Sequence, residues 1–120
     1  MLTLPSSVRV FLAVEPVDMR GSFDALAGCA RLLSLDPQDG HLYVFTNARK
    51  TLMKVLFFDG SGWVILAKRL EQGTFQIPKV EGDQRHLRVD AGVLALILEG
   101  VDLARAPRRK RYGRPPDTNN

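Results

Sequence analysis

The carboxylates are the first candidates for catalysis, because phosphoryl transfer needs two or three acidic side chains converging on divalent ions. Asp18, Asp59 and Glu71 are the residues that could form such a set. Each has a simpler structural role. Asp59 opens a glycine-rich turn, Asp18 precedes Arg20 in another turn, and Glu71 follows a strand end where a basic neighbour, Lys68 or Arg69, can pair with it. We therefore predict no catalytic residues.

The histidines and the single cysteine do not indicate a metal site or a nucleophile. His41 and His86 stand alone, without a further ligand at the spacing of known metal motifs. Cys29 lies beside the apolar stripe of a predicted helix, which favours a small buried hydrophobe. Phosphate-cradling glycine loops and dinucleotide fingerprints are absent from the sequence. We predict no enzyme, no metal and no cofactor.

The basic residues point to a polyanionic partner. Residues 104–120 contain six basic groups and one acid, so this segment is +5, while the eleven basic and twelve acidic groups before it give −1. With its prolines and polar end, the segment is predicted to be a disordered tail after a single α+β domain over residues 1–103. Its candidate DNA-binding residues are Arg108, Arg109, Lys110, Arg111 and Arg114. Gly113-Arg114-Pro115 resembles the core of a minor-groove hook, with nonspecific phosphate contact as the alternative.

A second basic group accompanies a predicted hairpin. Asp59-Gly60-Ser61-Gly62 is a strong turn signal, and pairing Phe58 with Trp63 across it makes both faces of the hairpin apolar. Such a hairpin must be covered on both sides by its own helices or by another protein. The end away from the turn collects five candidate DNA-binding residues: Arg49, Lys50, Lys54, Lys68 and Arg69. Ordinary strand-end charges in water are the alternative.

The apolar pattern predicts an α+β fold with a largely antiparallel sheet, a central β-hairpin and two packing helices. Strands are expected over 8–14, 41–46, 51–58, 62–69 and 85–89, with a further short candidate at 74–77, and helices over 22–34 and 90–99. Ser22 and Asp90 are expected to cap the helices. The wide apolar face of the second helix is either core or a partner surface, and we favour core.

Two side-chain arrangements follow from this pattern. Trp63 and Phe57 are expected to be mostly buried on opposite faces of the sheet, because the turn gives them opposite facing. Arg20 is expected to pair with Asp18 or Asp24 and to fix the turn before the first helix.

The chain shows no targeting or membrane signal. Its first residues have no basic region followed by an apolar run, and no stretch reaches the ~18 apolar residues of a membrane span. One cysteine allows no internal disulfide, which fits a reducing compartment. We expect a cytoplasmic bacterial protein.

An ordered series of motifs resembles a known family. These motifs are Val17-Asp18-Met19-Arg20, Ser22 to Ala27, His41 to Phe45, Lys54 to Trp63, Lys68 to Phe75, and Leu98 to Asp102. Over about residues 4 to 110 the chain resembles the small accessory protein, often labelled TnpB, of bacterial insertion sequences of family sixty-six. The resemblance implies a role in transposition beside a separate transposase that carries the catalytic acids. Loop 47–50 and Thr74 are less basic here than is usual in the family, which implies weaker DNA binding there.

Two functions from different classes remain. The first is a DNA-binding accessory factor that contacts insertion-sequence ends or nonspecific duplex through the strand-end residues and the tail. The second is an adapter that docks on the transposase through an apolar helix or hairpin face. Both allow a homo-oligomer, and neither involves a membrane or a small-molecule substrate.

Removing residues 104–120 should weaken binding to all duplexes, because the rest of the chain is net −1. If four to six tail charges each displace a counterion, log K should fall against log salt with a slope of roughly −4 to −5, and truncation should flatten it. Fluorescence titration of DNA at several salt concentrations measures both slopes. Equal affinity and equal slope without the tail would place the site in the strand-end residues instead.

Overall fold

A computed structural model describes residues 7–100 of the chain. Its elements are β1 (Val10–Ala13), α1 (Phe23–Leu32), β2 (Leu42–Thr46), β3 (Leu52–Phe58), β4 (Trp63–Arg69), β5 (His86–Val89) and α2 (Ala91–Leu98). The five main strands and the two helices predicted from the sequence are confirmed, each beginning and ending within about two residues of the expected bounds.

The strands form one five-stranded sheet in the order β4-β3-β2-β1-β5. The β1–β2 pair is parallel, while β1–β5, β2–β3 and β3–β4 are antiparallel. Helix α1 makes the crossover that a parallel pair requires. The predicted α+β fold with a largely antiparallel sheet is therefore confirmed.

The β3–β4 hairpin owes its register to the turn at residues 59–62. The Asp59 carboxylate accepts hydrogen bonds from the backbone N–H groups of Ser61, at 3.0 Å, and Gly62, at 2.9 Å. Gly60 adopts the left-handed φ of 101° that the turn needs. Phe58 consequently pairs with Trp63, as the turn signal predicted.

The core has two layers, one on each face of the sheet. Helix α1 covers the first face with Leu26, Ala27 and Ala30, and α2 covers the second with Leu94 and Ile97. Every residue of β2 is buried between them. We call the two sides of the sheet the α1 face and the α2 face.

Trp63 packs on the α1 face and Phe57 on the α2 face, so the prediction of opposite facing is confirmed. Both side chains are also mostly buried, as expected, although neither is completely covered. They lie next to the hairpin turn, where the sheet ends.

The helix termini differ in how they are capped. Asp90 caps α2 as predicted, its carboxylate accepting from the Val93 N–H at 2.8 Å. Gly100 has the left-handed φ of 80° common after a helix. Ser22 occupies the N-cap position of α1, but its side chain makes no capping hydrogen bond.

The candidate strand at 74–77 was wrong, since residues 74–77 are irregular. Phe75 is fully buried in the α2-face core, and its N–H donates to the Lys50 carbonyl at 2.7 Å. A buried aromatic side chain gave this segment a strand-like pattern, but it lies between the turn at Gly73 and Pro78, too short to pair as a ladder.

In the part of the chain that the structure describes, neither helix has the length and apolar character needed to cross a membrane.

Replacing Phe75 by alanine should lower the free energy of unfolding by about 3 to 5 kcal/mol, because it leaves a cavity in the α2-face core. Phe23→Ala is the matched control, since Phe23 is 43% exposed and should cost much less. Denaturant unfolding followed by circular dichroism compares the two variants. Similar losses for both would mean that Phe75 does not anchor this segment.

Candidate nucleic-acid interface

The β2–β3 loop, residues 47–51, lies at the end of the strands opposite the hairpin turn. We call this region, together with the adjoining ends of β3 and β4, the loop end. It contains the five strand-end residues that the sequence singled out: Arg49, Lys50, Lys54, Lys68 and Arg69.

The loop is held in one shape by its own hydrogen bonds. The Asn47 side-chain oxygen accepts from the N–H groups of Thr51, at 2.9 Å, and Leu52, at 3.0 Å, and its amide nitrogen donates to Thr51 Oγ1. Lys50 has a φ of 59°, a left-handed conformation that costs an L-residue roughly 1–2 kcal/mol. The bond from the Phe75 N–H to the Lys50 carbonyl helps to hold that conformation. The backbone that presents Arg49 and Lys50 is therefore already ordered before any ligand binds.

Lys54 is tied to the segment before α1. Its ammonium group donates to the carbonyl oxygens of Met19, at 2.8 Å, and Gly21, at 3.2 Å. A side chain at Gly21 would collide with Ala25 of α1, so the chain comes very close to the helix there. Lys54 therefore fixes the path of the chain into α1 on one face of the sheet.

Lys68 is tied to α2 on the opposite face. Its ammonium group donates to the Leu98 carbonyl at 2.6 Å, at the C-terminal end of the helix. A cation is favourable there, because the last carbonyls carry the negative end of the helix dipole. The structure therefore places Lys54 and Lys68 on opposite faces, each with a backbone partner, and does not bring their ammonium groups together.

Arg49, Lys50 and Arg69 have a different environment. Arg49 and Arg69 are exposed, and Lys50 is half-buried. Arg69 pairs with Leu52, directly after the loop, so it lies close to residues 47–51. Unlike Lys54 and the exposed Lys68, these three side chains are not hydrogen-bonded to a backbone carbonyl within residues 7–100.

Arg20 forms an ion pair with Asp18, which is one of the two partners predicted for it. The guanidinium donates to both carboxylate oxygens, with Nη2 to Oδ2 at 2.7 Å, and the backbone N–H of Arg20 also donates to Oδ1. These bonds lower the pKa of the Asp18 carboxyl to about 2. The Met19 carbonyl between the two residues accepts from Lys54, so the turn lies next to the loop end.

The predicted pairing of Glu71 with Lys68 or Arg69 was wrong. Arg20–Asp18 is the one ion pair within residues 7–100, and the Lys68 ammonium is used by α2 instead. Over the same residues, no three or more His, Cys, Asp or Glu side chains gather closely enough to hold a metal ion.

The histidines and the cysteine occupy the α1 face. His41 accepts from the Arg9 N–H at 2.9 Å, and the rings of His41 and His86 meet the Phe11 ring edge-on. The Nδ1 atom of His86 is buried without a hydrogen-bond partner within residues 7–100. Cys29 is half-buried and packs against the same core, as expected of a small hydrophobe.

The predicted tail and its basic residues Arg108, Arg109, Lys110, Arg111 and Arg114 lie outside the described residues, as does the predicted domain boundary after residue 103.

Fold and site together define a small α+β protein with a fixed basic loop at one end of a two-faced sheet. The chain belongs to the IS66 Orf2-like family, whose model matches residues 8–108. It is thus a transposition-associated accessory protein, as the resemblance in its motifs implied.

Two curated proteins of Sinorhizobium fredii (strain NBRC 101917 / NGR234) are similar to the chain. The uncharacterized protein y4hO is 37% identical over 103 residues, covering 85% of this chain and 88% of the relative. The uncharacterized protein y4jC is 33% identical over 111 residues, covering 90% and 91% respectively. No solved structure matches the chain significantly.

Replacing Arg20 by alanine should raise the pKa of the Asp18 carboxyl from about 2 toward its ordinary 3.8, because the guanidinium stabilises the charged form. A lowered pKa means that the stabilisation is present above pH 3.8 and is lost as the pH falls toward 2. Carboxyl chemical shifts followed through an acid titration measure the pKa. Arg31→Ala is the control, and an unchanged Asp18 pKa in Arg20→Ala would contradict the pairing.

Proposed function

We propose that this protein is a non-catalytic accessory factor of transposition that binds the DNA backbone through its loop end. The observation that carries the proposal is the fixed loop at residues 47–51, which presents Arg49 and Lys50 beside Arg69. Phosphates are bound by basic side chains of this kind, and a loop that is already ordered loses little conformational entropy on binding.

The two anchored lysines contribute in another way. Lys54 and Lys68 hold backbone carbonyls, so their ammonium groups are partly committed within the fold. They keep their positive charge, which adds to the field that attracts a polyanion toward the loop end. Direct phosphate contacts are therefore assigned to Arg49, Lys50 and Arg69, and long-range attraction to Lys54 and Lys68.

The tail is the second part of the proposed DNA-binding surface. Its basic residues Arg108, Arg109, Lys110, Arg111 and Arg114 give the largest local charge of the chain. In this proposal the tail supplies most of the nonspecific affinity, while the loop end fixes how the folded part sits on the duplex.

Docking on the transposase is the alternative function, and one observation favours it. Leu96 on α2 is 42% exposed, although the helix is apolar nearly all round. An exposed leucine on such a helix suits a protein partner better than a phosphate backbone. A gel shift with and without transposase separates the two functions, since an adapter should change the transposase complex without shifting DNA alone.

Replacing Arg49, Lys50 and Arg69 together by alanine should reduce the magnitude of the salt slope by about 2 to 3, since each lost phosphate contact removes roughly 0.9. The matched control removes the exposed Arg9, Arg31 and Arg88, which changes the net charge equally at positions outside the loop end. Gel shifts on insertion-sequence end DNA and on unrelated duplex, over a range of salt, measure both.

The control variant should weaken binding slightly and leave the slope close to that of the unchanged chain. If both triple variants reduce the slope equally, the loop end is not the contact site and only net charge matters. If neither binds less tightly, the proposed interface is wrong.

A further inference from the structure

Strand β4 is a long edge strand with little that prevents another strand from pairing with it. It forms one border of the sheet over seven residues, whereas β5 forms the other border over four. Edge strands are usually protected by proline, by charges along their length or by being short. In β4 the charges are confined to the last two positions, Lys68 and Arg69, and residues 63–67 are all uncharged.

The pairing with β3 determines which backbone groups of β4 point outward. Next to the strand, the Asp59 N–H donates to the Gly62 carbonyl, and the Leu70 N–H donates to the Thr51 carbonyl. The even-numbered residues therefore direct their amide groups toward β3, because hydrogen-bonded pairs alternate along an antiparallel ladder. The outward N–H and C=O groups belong to Trp63, Ile65, Ala67 and Arg69.

The side chains of β4 are also incompletely covered. Leu66 on the α2 face is 48% exposed, and Val64 beside it is half-buried. On the α1 face, Trp63 and Ile65 are half-buried and Ala67 is exposed. Both faces of this edge are therefore apolar and open to a further strand.

The charge pattern identifies the strand that fits. A second β4 running parallel would place Lys68 and Arg69 beside the same residues of its neighbour, which is unfavourable. In an antiparallel pair the basic C-terminal ends of the two β4 strands lie far apart. Each of these ends then lies beside the uncharged N-terminal end of the other strand, next to the turn that carries Asp59. Strand β4 is therefore complementary to itself in the antiparallel sense.

We infer that two copies of this chain pair β4 to β4, antiparallel, about a two-fold axis at Ile65. Ile65 exchanges two hydrogen bonds with the second copy's Ile65, and Trp63 pairs with the second copy's Ala67, so the outward groups at residues 63, 65 and 67 are satisfied. Leu66 comes opposite the second copy's Val64 and loses its exposure. The two sheets become one continuous sheet.

Other occupants fit the edge less well. After Gly100 the sequence offers only Val101, Leu103 and Ala104 before Arg105 and Pro107, a short apolar run that ends in the same charge as β4. A strand from a different protein would need no two-fold symmetry. Both alternatives leave the purified chain monomeric, so the experiment distinguishes them from self-pairing.

Disulfide trapping tests the pairing and its register in the full-length chain. With Cys29 replaced by alanine, Ile65→Cys should oxidise to a covalent dimer, because the two Cα atoms of a hydrogen-bonded pair lie about 5.5 Å apart, within disulfide range. Ala67→Cys is the matched control. Its two copies would be separated by four strand residues, roughly 13 Å, and should stay reduced.

Light scattering of the unoxidised chain provides the second measurement. The full chain should be dimeric, and Leu66→Lys should weaken the dimer at least about tenfold, a change of about 1.4 kcal/mol, by placing a charge between the strands. Leu32→Lys makes the same substitution at a helix residue that is 72% exposed and should remain dimeric. Circular dichroism verifies that both variants fold.

The inference is overturned if the full chain is monomeric and Ile65→Cys stays reduced, as it would be if residues beyond 100 or another protein occupied β4. Crosslinking through Ala67→Cys in preference to Ile65→Cys overturns the register. An equal loss of dimer in Leu66→Lys and Leu32→Lys overturns the assignment to β4. If Leu66→Lys fails to fold, the two cysteine variants decide the matter alone.

Discussion

The structure depends on a sheet that is apolar on both faces. Strand β2 is buried over its whole length, so its side chains need cover above and below. The chain meets this requirement with two helices from different parts of the sequence. Helix α1 is inserted between β1 and β2, which makes that pair parallel, and α2 follows β5 on the other side. The mixed topology is thus a consequence of covering both faces.

Two lysines on neighbouring strands couple these layers to the hairpin. Lys54 on β3 holds the segment that leads into α1, and Lys68 on β4 holds the C-terminal end of α2. The anchors project to opposite sides of the same sheet end. Basic residues at the loop end therefore stabilise the fold as well as adding positive charge. Counting them overstates how many side chains are available to bind a ligand.

The sequence was sufficient to predict the strands, the helices and the hairpin, because period-two alternation and an Asp-Gly turn are patterns of residues that are close in sequence. It did not predict the partners of the lysines, since Lys54 meets a carbonyl 35 residues earlier in the chain and Lys68 one 30 residues later. The strand predicted at 74–77 was wrong for a related reason. The buried side chain of Phe75 produced a strand-like pattern, but its segment is held by a hydrogen bond to the loop near Lys50, which is distant in sequence. Contacts between backbone and distant side chains leave no local pattern.

The position of Trp63 gives the protein a built-in optical probe. It is the only tryptophan, and its ring meets Phe58 edge-on at 5.1 Å on the α1 face beside the hairpin turn. Indole emission therefore reports the packing of one layer of the core, and the α2 layer within residues 7–100 contributes no tryptophan signal. Loosening of α2 alone would leave the emission nearly unchanged while helical dichroism fell. A difference between the two signals would thus reveal that the layers melt separately.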